Sequence, residues 1–173
     1  MDTSENIEKF ETLFLVKSSL ISLYLALTIP ISFISIDELK TFSIITFVLG
    51  LYLIINITND YVETSNDKIS YKTSFVSRIL GRKNWEVLWQ DIRQIKSLPT
   101  SQGSKVYYLK TSKDYNFLVP QRVENYEKFV LILSKNTGID VNGMSYISPL
   151  WTYKLLTLLS VLMIIGEIAA FLS

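Results

Sequence analysis

Three apolar stretches, Ser18–Ile36, Thr41–Thr58 and Leu155–Ser173, frame a polar block that runs from Asn59 to Pro149. Each stretch is close to the ~20 residues a helix needs to cross a hydrocarbon core of about 30 Å. The pattern therefore predicts three membrane-spanning helices and one small domain. Asp37-Glu38-Leu39-Lys40 is the only polar break between the first two stretches, and so short a link predicts an antiparallel helical hairpin. Pro30 lies inside the first stretch, where it removes a backbone donor and favours a kink. Trp151 and Tyr153, with Lys154 beside them, precede the third stretch as an interfacial aromatic anchor.

The polar block changes period. Tyr61–Thr64 and Ile69–Thr73 flank the turn cluster Ser65-Asn66-Asp67-Lys68 and read as a hairpin. Trp85–Trp89 and Ile92–Leu98 are further β-rich runs, closed by the turn signal at Pro99–Gly103. Val106–Lys110 and Tyr115–Val119 form a second hairpin around Thr111–Asp114. After Pro120 the apolar residues Tyr126, Phe129, Val130 and Leu133 recur at helical spacing, with Gly138 placed as a C-terminal cap. The order is six or seven short antiparallel strands and then one helix, Asn125–Thr137. The division expected is an acidic N-terminal segment (1–12), a transmembrane hairpin (13–58), a soluble domain (59–149) and a C-terminal transmembrane helix (150–173).

Composition sharpens this. The chain has 173 residues, 49% of them hydrophobic, with a net charge of only +1. The charge is uneven: thirteen Lys/Arg stand against nine Asp/Glu between Asn59 and Pro149. Positive-inside counting then puts the N-terminus and the domain in the cytoplasm. There is no Cys and no His. Disulfides, thiolate nucleophiles, zinc–thiolate sites and imidazole acid–base chemistry are excluded. No signal-peptide pattern is visible, since the N-terminus is acidic and lacks a small-residue cleavage site. Gly81 and Gly103 are isolated turn glycines, not a phosphate-binding loop. No nucleic-acid module, metal set or cofactor motif is present, and a Ser–Lys enzyme is a distant reading.

The run Trp85-Glu86-Val87-Leu88-Trp89-Gln90-Asp91-Ile92 resembles the strand ending of bacterial PH-like domains, in which an apolar–Trp–x–Asp–Ile step leads into the next strand. Val106–Lys110 and the final helix fit the same scheme. The resemblance covers Tyr61 to about Asp140 and implies an α+β membrane protein: an antiparallel PH-like β-barrel capped by one α-helix, carried on three transmembrane helices. Pro99–Lys110, Phe117–Arg122, the Thr137–Asp140 ending and the third span also look like a group of uncharacterised cyanobacterial membrane proteins. In build, a hairpin followed by a β-rich domain, the chain is distantly similar to the photosystem I assembly protein family. It departs from that family in its extra helix and in lacking an Arg-rich, Pro-Leu-Thr-type segment.

Candidate chemistry is sparse. Arg78, Arg82 and Lys83, with Ile79 and Leu80 between them, are candidates for anionic lipid; the alternative is a solvated loop with the two apolar residues packed inward. Trp85, Trp89 and Tyr108 are candidates for a protein-binding surface, or else core and rim residues. Glu167 is the one ionisable residue deep in an apolar stretch. It either pairs with Lys40 or snorkels to the outer surface. These features imply a non-catalytic, membrane-anchored binding or scaffold protein, without a cofactor, that aids assembly or stability of a membrane complex. Its partners would be membrane lipids and other membrane proteins, in the plasma or thylakoid membrane. The alternative is a module that senses anionic lipid.

Overall fold

A computed structural model describes residues 7–34 and 37–172. They fall into two compact units. One joins the residues up to Leu13 to Asn59–Ser148, and the other joins Phe14–Thr58 to the residues from Pro149 on.

The first unit is α+β. Strands β1 (Glu8–Glu11), β2 (Tyr61–Thr64), β3 (Lys68–Lys72) and β4 (Trp85–Leu88) form one antiparallel sheet in that order. Strands β5 (Ile92–Pro99), β6 (Lys105–Thr111) and β7 (Asn116–Leu118) form a second. A single 3-10 turn, Trp89–Asp91, carries the chain from one sheet to the other. Phe10, Val62, Ile69 and Val87 from the first sheet and Ile92, Tyr107 and Leu109 from the second share one buried core. Helix α4 (Tyr126–Thr137) completes that core with Tyr126, Phe129, Val130 and Leu133, the residues its period marks. Gly138 ends it in the left-handed region (φ 68°), its N–H donating to the Ser134 carbonyl at 2.8 Å.

Two expectations change here. The acidic segment 1–12 contributes a strand to the sheet, with Glu11 opposite Tyr61 and Phe10 opposite Val62. Phe10 is buried and meets Phe129 edge-on at 5.4 Å. The expected closed barrel is not found among the described residues. Beyond β1 the chain touches the segment after β7 through one isolated bridge, Thr12 to Val123. At the other side no ladder joins β4 to β5, because the 3-10 turn redirects the chain between them.

The second unit contains α1 (Phe14–Ile34), α2 (Asp37–Ile57) and α5 (Leu150–Leu172). All three are long and apolar enough to cross a membrane. Asp37–Lys40, expected as the link, is instead the first turn of α2. Glu38 there puts negative charge at the positive end of the helix dipole, which favours helix over loop. Helix α1 continues through Pro30. Tyr24 of α1 stacks on Phe47 of α2 at 5.8 Å, and its hydroxyl donates to the Phe47 carbonyl at 2.8 Å.

The connectivity matters for function. β1 and β2 are antiparallel neighbours, and the turn that would ordinarily join them is replaced by the whole α1–α2 hairpin. Thr12 and Leu13 are the only residues between β1 and α1, and residues 58–60 the only ones between α2 and β2. The Thr12 hydroxyl donates to the Asp60 carbonyl at 2.8 Å, which ties the two chain ends together within the domain.

Candidate functional site

The most elaborate polar arrangement in the domain is built on Asp60, at the entrance to β2. Its carboxylate is 4% exposed and accepts four hydrogen bonds. Oδ1 takes the Ser74 N–H at 2.8 Å. Oδ2 takes the Tyr71 hydroxyl at 3.0 Å, the Ser77 hydroxyl at 3.0 Å and the Arg82 guanidinium at 2.8 Å. A buried carboxylate is tolerated only when it is paired and fully hydrogen-bonded, and this one is. Burial, followed by the Asp60 charge and the hydrogen bond to it, pushes the Tyr71 phenol up to about 12. For Arg82, burial lowers the pKa, but the hydrogen bond to Asp60 and the neighbouring Tyr71 and Asp60 outweigh it and raise it overall.

What the clamp holds is a short helix, α3 (Phe75–Ile79), absent from the sequence reading. Ser74 caps its N-terminus by accepting from the Ser77 N–H at 3.2 Å. The Asn84 side chain closes the far end of the segment by accepting from the Thr73 N–H at 2.7 Å and the Thr73 hydroxyl at 2.6 Å. Val76 and Ser77 face inward. Phe75, Ile79 and Leu80 face outward, at 64%, 68% and 64% exposure. Arg78 and Lys83 are exposed beside them, and among the described residues neither makes an ion pair.

The candidate residues therefore separate. Arg78 and Lys83 share a surface with exposed Ile79 and Leu80, so the inward-packed loop is not what forms. Arg82 is committed to Asp60, so it is not a free cation for lipid. Trp89 is 5% exposed, and its indole N–H donates to the Ser65 carbonyl at 2.9 Å; it is a core residue at the sheet corner, not a contact surface. Trp85 is half-buried between Tyr71 (5.9 Å) and Phe117 (5.2 Å), linking the two sheets through their aromatic side chains. Tyr108 lies on the outer face of β6, opposite Lys96 and Leu118. Tyr108 and Lys96, with Gln94, Leu98, Lys110 and Asn116, line a shallow hollow of about 490 Å³. Asp60 and Ser77 were missed by sequence reasoning; the only local signal was a serine spaced three residues before another, ahead of Arg82.

No family model matches the chain. It is 30% identical over 156 residues to the uncharacterised protein slr0269 of the cyanobacterium Synechocystis sp., an alignment covering 86% of this chain and 78% of that protein. The chain belongs to the slr0269 family.

In this slr0269-family member the remaining pair of candidates does not meet. Among the described residues no ion pair joins Lys40 to Glu167; Lys40 is exposed at the start of α2. The Oε2 atom of Glu167 is buried in α5 without a hydrogen-bond partner. Among the described residues, no group of His, Cys, Asp or Glu is arranged to hold a metal ion.

Proposed function

We propose that the chain is a non-catalytic PH-like binding module, mounted on a membrane so as to support assembly or stability of a larger membrane complex. The observation that carries this reading is the insertion of the helical hairpin into the β1–β2 connection. A domain joined through one flexible linker samples many orientations. Here two neighbouring strands each run into a helix within two or three residues, a reach of at most about 10 Å. A third connection leads to α5 and is itself tied down. Tyr107 donates to the Gly143 carbonyl at 2.8 Å, and Gln121 donates to the Ser145 carbonyl at 2.8 Å. Three short attachments restrict the domain's tumbling and raise its effective concentration toward partners in the same bilayer. The four-plus-three sheet arrangement with a C-terminal helix on the core supports the PH-like reading.

The surface assigned to a protein partner is the outer face of β5–β7, where Tyr108 stands among Lys96, Leu98 and Leu118. The domain is assigned to the cytoplasmic side, on its basic excess, in the plasma or thylakoid membrane of the cell. The test uses the intact protein with a photo-crosslinking residue in place of Tyr108, in native membranes. Crosslinks to a defined membrane-complex subunit, lost with Lys96→Glu, are expected. Recovery of the protein alone, from Tyr108 and from a second crosslinker at Leu118, would count against the reading. Because the chain is free of cysteine, single cysteines at Gln102 and Glu38 test sidedness with a membrane-impermeant thiol reagent. Labelling of Gln102 from outside intact cells overturns the orientation.

A further inference from the structure

We infer that α3 and the turn after it form a second, lipid-directed contact: Phe75, Ile79 and Leu80 enter the interface of an anionic bilayer while Arg78 and Lys83 meet its head groups. Four observations carry this. First, three large apolar side chains within six residues are each more than 60% exposed, although α3 has inward positions, filled by Val76 and Ser77. Second, the cations interleaved with them are unpaired among the described residues, whereas the neighbouring Arg82 is neutralised by Asp60. A patch of apolar bodies with free cations is complementary to an anionic interface, and not to water or to a basic protein surface. Third, the patch is held rigidly. Ser74, Ser77 and Arg82 all bond to one carboxylate, so the exposed residues are preorganised instead of being ordered on contact. Fourth, that carboxylate belongs to Asp60, three residues past Ile57, the last residue of an apolar span. The chain between them reaches at most about 10 Å, so Asp60 itself stays within that distance of the end of the span.

The contact is distinct from the protein-binding face on β5–β7, and neither depends on the other. Each cation near an anionic surface strengthens binding by about fivefold, so neutralising both should weaken the contact by about twenty-fivefold.

The experiment uses the full-length protein in nanodiscs. Single cysteines replace Ile79 or, as a control in the β5–β6 turn, Gln102, and each carries a nitroxide label. In discs containing anionic lipid, the label at 79 should be accessible to oxygen and shielded from a water-soluble nickel relaxant, with the label at 102 showing the reverse. In zwitterionic discs, or with Arg78→Gln and Lys83→Gln, the label at 79 should shift toward the nickel-accessible state. A label at Leu80 repeats the measurement without altering Ile79, and circular dichroism verifies the fold of each variant. The inference is overturned if 79 and 80 are as nickel-accessible as 102 in anionic discs. It is equally overturned if they are shielded from both relaxants, which means protein covers the patch, or if shielding is unchanged by lipid charge and by the two neutralising substitutions.

Discussion

Replacing Asp60 with Asn tests whether one buried carboxylate organises the segment that follows β3. The substitution keeps the shape but removes the charge, and it turns one acceptor oxygen into an amide nitrogen facing hydroxyl and guanidinium donors. Hydrogen bonds to a charged group contribute about 1.5–3 kcal/mol each, and breaking a buried charge pair costs about 3–5 kcal/mol. The Arg82 side chain is 53% exposed, so it regains water when its partner is lost. That places the cost at the lower end, about 3 kcal/mol. For a unit of this size each kcal/mol shifts the melting temperature by about 4–8 °C, so a fall of more than about 10 °C is expected. Near-UV circular dichroism of the detergent-solubilised full chain, to which Trp85 and Trp89 of the domain contribute, reads the transition. Arg82→Gln should cost less, about 2 kcal/mol, because three neutral donors still serve Asp60. The double variant should then be less damaging than the sum of the two by about 1 kcal/mol or more. A melting temperature for Asp60→Asn within about 3 °C of the wild type, or strict additivity with Arg82→Gln, would falsify the clamp.

Phe10→Ala should destabilise the domain by about 3 kcal/mol, since Phe10 is 3% exposed against Phe129; amide exchange on β2 that is no faster than wild type would show β1 to be dispensable. The Tyr71 phenol has a folded pKa of about 12, above its ordinary value of 10.0. Its contribution is therefore complete below pH 10 and is lost as pH rises toward 12. Over that window the stability of the wild type should fall more steeply than that of Tyr71→Phe, and parallel urea midpoints for the two proteins would contradict the assignment. In the helical unit, a Cβ at Gly50 would overlap the Tyr24 side chain. Gly50→Val should displace that ring, break its bond to the Phe47 carbonyl and lower the yield of engineered disulfides between α1 and α2, with unaltered yield as the refuting result.

Much of this protein is decided locally and is visible in its sequence. Hydropathy over ~20 residues is a property of contiguous chain, so all three long apolar helices can be read directly. Helix α4 is equally legible, because its buried residues repeat at helical spacing and Gly138 ends it. The β2–β3 and β6–β7 hairpins follow from turn residues between alternating runs. Strand β1 is different. Its four residues, Glu-Lys-Phe-Glu, carry no strand signal beyond one buried Phe, and the strand exists because β2, some fifty residues later, offers a partner. The same holds for α3, whose helical segment is only five residues long and depends on a carboxylate fourteen positions upstream of its cap. Trp85 and Trp89 look alike in the sequence, yet the sheet corner buries one and leaves the other half-open between two aromatic rings. Arg78, Arg82 and Lys83 look alike too, and only the position of Asp60 makes Arg82 structural and leaves the other two without an ion pair among the described residues. Apolar length and helical period are sums over neighbouring residues. Strand pairing, burial and charge compensation depend on which distant residues the fold brings together, and only the tertiary structure supplies that.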